Sequence, residues 1–179
     1  MDIYMPMSTT RRHNRFISAL ISRIFPLEEK GEVNIFHEER ALVYWGDKRN
    51  PKGFSLVDVL NLDEEENYFI ENILPELDYV QPDFVVFKSN PFLENEKQTK
   101  TAGQPDLIVE VWSESNTRNE KAFLQNLYAT SEITEHWYID QDSNEVNCYY
   151  GNKKIENQYL TNILVTRDGL QFDLRYLAI

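Results

Sequence analysis

The chain has one cysteine, few glycines and prolines, little positive charge and no long apolar run. Each shortage removes a class of protein. Cys148 is alone, so neither an internal disulfide nor a cysteine zinc cluster can form. Six glycines and seven prolines in 179 residues exclude collagen-like or low-complexity architecture. No apolar segment approaches the roughly 20 residues of a membrane span. The N-terminal MDIYMPMSTTRRHN lacks the apolar central region of a signal peptide. Eighteen Lys and Arg against 30 Asp and Glu give a net charge of −12, which speaks against a simple basic DNA-binding domain. These absences predict a soluble, cytoplasmic, bacterial-type protein that does not enter a membrane. What is present, 41% hydrophobic and 13% aromatic residues, is enough for a core and too much for a disordered chain. The length fits one domain over residues 1–179, with no internal repeat and no linker to divide it.

The negative charge is unevenly spread. Val57 to Asp78 holds eight acids and no Lys or Arg, which leaves 18 bases against 22 acids, net −4, in the rest of the chain. That stretch reads as a solvated loop and short helix, or as a partner-binding or DNA-repelling face. Arg11, Arg12, Arg15 and Arg23 make the first helix candidate locally basic, and Arg118 and Lys121 add positive charge to a later one. Phosphates have somewhere to approach, so acidity by itself does not exclude DNA; it predicts weak, metal-dependent and salt-sensitive binding.

Hydrophobic spacing gives a coarse order of elements. Ser8, Thr9 and Thr10 offer N-caps, and Phe16, Ile17, Leu20, Ile21 and Ile24 recur at helical spacing, so a helix is predicted over Thr9–Phe25, ended by Pro26. Glu32–Phe36 and Arg40–Trp45 read as strands, Gly46–Gly53 as a turn or loop, and Asn67–Leu74 as a short helix. Tyr79–Lys88 is predicted as one strand, Ser89–Gly103 as a polar loop, and Pro105–Trp112 as a central strand apolar on both faces. Thr117–Ala129 reads as a helix turning Phe123, Leu124, Leu127 and Tyr128 to the core, with Ser113 and Ser115 as its caps. Trp137–Ile139, Val146–Tyr150, Tyr159–Val165 and Leu170–Leu177 are further strands. Trp137 and Tyr138 belong in a core, and Tyr149 and Tyr150 fall on opposite faces, one of them exposed. The order predicts an α/β domain with a central mixed sheet and a β-rich tail.

Two of these strands carry a carboxylate in apolar surroundings: Asp83 in QPDFVV and Glu110 in LIVEV. A charge in such a strand is paired, metal-bound or at an edge. Asp106 shares a strand face with Glu110, but at roughly 3.3 Å per residue their Cα atoms are about 13 Å apart, too far to share one small cation readily. Glu110 therefore needs a ligand from a neighbouring strand, and Asp83 is the best candidate. Asp106 is a loop-capping or supporting group, or a third direct ligand. Two carboxylates suit a hard divalent cation such as Mg²⁺, which keeps several waters. Such a cation would activate water and neutralise a phosphodiester oxygen. A nearby Lys would stabilise the developing charge.

The ordered set PDFVVF, PDLIVEVWSESNTRNEKAFLQNLY and EHWYIDQDSNEVNCYY, with His13 in the first helix and the tail GLQFDLRYL, resembles the Uma-two branch of the PD-(D/E)XK restriction-endonuclease-like proteins, first described as a domain of unknown function. The resemblance implies a restriction-endonuclease-like fold: a central mixed sheet flanked by helices, with a β-rich C-terminal extension. It assigns Asp83 and Glu110 to the two metal-binding acids, with Mg²⁺ or Mn²⁺ as cofactor and DNA as substrate. The superfamily's Lys would stand at Trp112, and the Uma-two Lys, moved to the next helix, falls on Leu124. Lys121, one helical turn earlier, is the substitute candidate, or else a surface Lys near Glu120 and Arg118. His13 matches a His common in the family's first helix, where packing or hydrogen bonding is its ordinary role. Glu38 and Glu39 are an extra acid for the site or a solvated strand start.

Three functions compete. The first is a metal-dependent DNA endonuclease using Asp83, Glu110 and Lys121, with a homodimer compatible because such nucleases often cut two strands as pairs. The second, motivated by Leu124 and the net charge, is a catalytically inactive nuclease-fold module binding nucleic acid or protein. The third, glycoside hydrolysis by paired carboxylates, lacks a recognisable aromatic sugar cleft and ranks lowest. No P-loop, dinucleotide fingerprint or Ser-His-Asp pattern is present.

Overall fold

A computed structural model describes residues 11–37, 41–43, 79–88, 100–102, 105–113, 116–129 and 135–178. Several expectations lie outside these residues: the Ser8, Thr9 and Thr10 caps, Glu38 and Glu39, the turn at 46–53, the acidic stretch 57–78 with its short helix, and Ser115.

The chain opens with helix α1 (Arg11–Glu29). Its apolar spacing buries Phe16, Ile17, Ala19, Leu20 and Ile24 against one face of the main sheet. Pro26 does not end it. Proline costs a helix the bond to the carbonyl four residues earlier, but that carbonyl belongs to Ser22, on the solvent side where water can serve it. The helix stops at Gly31, whose φ of +73° costs a glycine nothing, with Gly31 N–H donating to Glu28 O and Glu32 N–H to Leu27 O.

The main sheet contains β1 (Asn34–His37), β4 (Phe84–Phe87), β6 (Leu107–Trp112), β7 (Glu135–Asp140), β8 (Glu145–Tyr150) and β10 (Gln158–Tyr159), in that spatial order, with β9 (Lys153–Lys154) also paired to β8. β6 and β7 are parallel and the other pairings antiparallel. Parallel neighbours need a crossover, here supplied by helix α2 (Arg118–Tyr128). Thr117, not Ser113, caps α2: its hydroxyl accepts from Glu120 N–H while the Glu120 carboxylate accepts from Thr117 N–H, a reciprocal capping box. Ser113 N–H instead donates to Asn116 Oδ1 at 2.9 Å.

Alternation along the central strands divides the core in two. Leu107, Val109 and Val111 of β6 join Phe84, Val86, Trp137 and Ile139 beneath α1. Ile108 and Trp112 join Val85, Phe87 and Tyr138 beneath α2, with Leu124, Leu127 and Tyr128. All six residues of β6 are buried, as a strand covered on both faces requires. Trp137 and Tyr138 are core residues; Tyr149 and Tyr150 are both half-buried, and Phe123 is exposed on the outer side of α2.

The predicted Tyr79–Lys88 strand is two strands in different sheets. β3 (Tyr79–Val80) pairs with β2 (Ala41–Val43), which is also parallel to β5 (Lys100–Ala102). Gln81, Pro82 and Asp83 interrupt the run, and Pro82 has no N–H to give a ladder. β5 falls within the segment expected to be loop. The tail forms a hairpin of β11 (Ile163–Val165) and β12 (Gln171–Asp173), then a short 3₁₀ turn at Arg175–Leu177. Gln158 brackets Val165 through two hydrogen bonds, and buried Glu135 accepts from both Trp137 Nε1–H (2.6 Å) and Arg167 N–H (2.7 Å), which ties the tail to the sheet. Among the described residues no helix is long and apolar enough to cross a membrane.

Candidate active site

The register of β4 on β6 brings the two acids together. Phe84 lies opposite Val109, so one step beyond the paired segment sets Asp83 opposite Glu110, the position where side chains of adjacent strands meet. Asp83 is 3% exposed and Glu110 4%, so neither carboxylate has water enough to screen it. Glu110 lies between Ile108 and Trp112 on the side covered by α2, whose last residue, Tyr128, donates its hydroxyl to Glu110 Oε1 at 2.5 Å. Asp83 Oδ2 accepts the backbone N–H of Val111 at 2.7 Å, which fixes that carboxylate against the neighbouring strand. Its other oxygen, Oδ1, has His13 Nε2 at 3.2 Å from α1, close enough to form an ion pair when His13 is protonated but off the hydrogen-bond direction. Asp83 Oδ1 is thus a buried carboxylate oxygen without a hydrogen bond.

Electrostatics point the same way. Burial raises the Glu110 carboxyl well above its ordinary value, and the Asp83 charge beside it raises it further; the Tyr128 hydrogen bond offsets part of this. Two crowded carboxylates in low dielectric are what a divalent cation relieves. The pair offers carboxylate oxygens only, a donor set that suits a hard ion keeping several waters better than a closed zinc site; among the described residues no group of three or more His, Cys, Asp or Glu side chains is arranged to hold a metal.

The remaining candidates divide by position. Asp106 is not brought to this pair. It sits at the opposite end of β6, where Oδ2 accepts Lys88 N–H at 2.7 Å and its backbone binds Val86 O and Glu135 N–H, so it clamps the starts of β6 and β7 to the end of β4. Lys121 is half-buried on α2, with Nζ 5.0 Å from the centre of the Trp112 ring. Asp140 is the register partner of Trp112; burial raises its carboxyl, but the Asp142 and Ser143 N–H groups, with a smaller contribution from the Lys121 charge, bring it below its ordinary value. The Lys121 ammonium therefore lies against the residue two positions beyond Glu110, on the same face of the sheet. Lys121, Leu124 and Tyr128 fall on one side of α2, at spacings of three and four residues. Leu124 is 5% exposed and packs in the core.

One participant escapes a reading by composition alone. Tyr128 looks like core filling, although its spacing from Lys121, seven residues or two turns, places it over the same strand.

A family model described as "Putative restriction endonuclease" (Uma2) matches residues 55–177. Among solved structures, the chain is similar to a "putative nuclease belonging to DUF820" from Anabaena variabilis ATCC 29413, with TM-score 0.61 and 16% identity over 97% of this chain and 85% of that one. At that identity the likeness concerns the fold, and the sheet with α1 and α2 on its faces is restriction-endonuclease-like. No curated protein sequence matches the chain.

Proposed function

The chain belongs to the Uma2 (Uma-two) family, a nuclease family, and from that premise we propose that it is a metal-dependent endonuclease hydrolysing phosphodiester bonds of DNA at the Asp83–Glu110 pair. The observation that carries this reading is the juxtaposition of two buried carboxylates, one with an oxygen that no hydrogen bond occupies. Asp83 and Glu110 would hold Mg²⁺ or Mn²⁺, which supplies an activated water and neutralises charge on a phosphate oxygen.

The protein's own residues do the positioning. Val111 N–H locks Asp83 Oδ2, which leaves Oδ1 as the ligating atom. The Tyr128 hydroxyl holds Glu110 Oε1 and so fixes the rotation of the second carboxylate. His13 braces Asp83 from the α1 side. Lys121, resting on Trp112, brings positive charge to the end of β6, where developing negative charge needs it. Asp106, bonded to Lys88 at the far end of the strand, is a scaffold group in this scheme.

A second reading, a nuclease-fold module that binds nucleic acid or protein without cutting, is favoured by one observation: Leu124, at the position matching the family's Lys, is buried hydrocarbon. A Mn²⁺-titrated nicking assay on supercoiled DNA separates the two. Wild type nicks in proportion to bound metal, Glu110→Ala abolishes nicking, and Lys121→Ala lowers the rate about 100-fold, within the range for loss of one charge-stabilising donor. Intact plasmid with wild type at every metal concentration refutes the endonuclease reading. Double-strand cutting would be the work of a homodimer, which sedimentation in the presence of DNA reads.

A further inference from the structure

The first helix runs against the charge balance of the chain. From Ile3 to Leu27 there is no Asp or Glu, while Arg11, Arg12, Arg15 and Arg23 stand there, in a protein of net charge −12. Positive charge at the N-terminal end of a helix opposes the helix dipole, so the stability of α1 does not account for three arginines in its first five residues.

Arg11, Asn14, Arg15, Ser18 and Ser22 recur at spacings of three and four residues and form one stripe along about 16 Å of helix. The stripe lies on the side of α1 turned away from its buried face, which carries His13, Ile17, Leu20 and Ile24. It forms one wall of an open groove of about 620 Å³, and the 3₁₀ turn forms the other with Tyr176 and Leu177. A cavity of about 380 Å³ shares Arg11, Arg15, Tyr176 and Leu177 with it and adds Arg12, so the two are neighbouring lobes of one groove. Among the described residues no carboxylate lines either lobe. Among the same residues Arg12 pairs with Asp142 and Arg175 with Asp173, whereas Arg11 and Arg15 make no ion pair. Tyr176 is 56% exposed, and the Arg23 guanidinium lies 5.9 Å from its ring centre.

Guanidinium groups, neutral hydroxyl and amide donors and an accessible aromatic ring are the set that recognises a single strand of nucleic acid: cations track the phosphates and a base stacks on the ring. A duplex keeps its bases stacked on one another and gives Tyr176 no free face. A membrane surface fits less well, because a helix lying in it needs an apolar outer face, and this stripe is Arg, Asn and Ser.

We propose that the groove between α1 and the 3₁₀ turn is a binding site for single-stranded nucleic acid, separate from the acid pair, in which Arg11 and Arg15 contact neighbouring phosphates and Tyr176 stacks on a base. His13 meets Asp83 from the inner side of α1, so the groove lies about 10 Å, one helix diameter, across from that contact. The site needs neither metal nor hydrolysis; it goes beyond the endonuclease reading and holds equally for a protein that binds without cutting.

The test is fluorescence anisotropy of labelled single-stranded oligonucleotides, one of DNA and one of RNA, titrated with the full chain in EDTA so that metal at the acid pair plays no part. Each phosphate contact contributes about 0.7 to the slope of log affinity against log salt, so Arg11→Gln/Arg15→Gln should lose about 1.4 of that slope and bind about 25-fold more weakly at about 0.1 M salt. Tyr176→Ala should weaken binding about tenfold, the worth of one base stacked on an aromatic ring, with the slope unchanged. All three side chains are exposed, so both variants should melt with wild type. Lys30→Gln/Lys153→Gln removes two exposed cations outside the groove and should keep wild-type affinity. Binding of either strand with both groove losses supports the site, and the tighter of the two identifies the strand. Wild type that binds this way and never nicks DNA leaves the groove standing and removes the endonuclease reading. An equal loss in the lysine control overturns the site, because general charge then explains the binding; so does binding that ignores Tyr176→Ala. Wild type that binds neither strand, or binds only phosphatidylserine vesicles, overturns it as well, and leaves metal-dependent nicking at the acid pair to be judged by its own assay.

Discussion

Replacing Glu110 by Gln should make the metal-free protein more stable. In the wild type a glutamate is buried beside Asp83, and both burial and that neighbour raise its carboxyl well above the ordinary value of 4.5. A carboxyl whose value is raised on folding contributes fully at pH below 4.5 and loses that contribution as pH rises toward the folded value. The loss at pH 7 has a ceiling. It cannot exceed the cost of keeping a proton on an ordinary carboxyl at that pH, which over 2.5 units at 1.36 kcal/mol each is about 3.4 kcal/mol. Gln removes the titration, keeps an oxygen to accept from Tyr128, and offers Asp83 an amide donor. About 2 kcal/mol of the ceiling should be recovered, a rise in melting temperature of about 4–8 °C for a chain of this size. Calorimetric melts at pH 4.5 and pH 7 without divalent ions measure it: the two proteins should nearly coincide at the lower pH and separate at the higher. Equal melting temperatures at pH 7, or a variant less stable at both, would refute the account of two strained carboxylates.

Other outcomes follow from the same geometry. Asp83→Ala leaves Val111 N–H buried without an acceptor and should cost about 1–3 kcal/mol, whereas Asp83→Asn, which retains one, should fold nearly as well; urea denaturation compares them. Thr117→Ala opens the capping box of α2 and should cost about 1 kcal/mol by the same method. Burial pushes the Cys148 thiol to about 11, so about one molecule in a thousand is thiolate at pH 8. The native protein should therefore resist iodoacetamide until denaturant exposes the sulfur, as mass spectrometry reports.

The acids at Asp83 and Glu110 were legible because a carboxylate within QPDFVV or LIVEV contradicts its apolar neighbours. Their pairing was expected too, from Glu110's need of a ligand on a neighbouring strand and from the family resemblance, but the register that sets Asp83 opposite Glu110 is encoded in no local pattern. Helix α1 was readable from its periodicity, but its end was misplaced: Pro26 is the louder signal, while Gly31 sets the termination. The 79–88 run looked continuous because apolar residues flank Pro82 on both sides, yet the missing N–H parts it into two sheets. β5, with the sequence KTA, has neither apolar content nor alternation to announce a strand. Asp106 is a carboxylate on the same strand face as Glu110; strand spacing already held the two apart, and the hydrogen bond to Lys88 N–H shows what Asp106 does instead, as a strand clamp.

The central claim is that Asp83 and Glu110 together hold a catalytic divalent cation. Electron paramagnetic resonance of free Mn²⁺, titrated with wild type, Asp83→Asn and Glu110→Gln, tests it without relying on any substrate. The account predicts that wild type removes about one Mn²⁺ per chain from the free signal and that each substitution abolishes this uptake while the protein remains folded. Equal uptake by all three proteins, or none by the wild type, would contradict it.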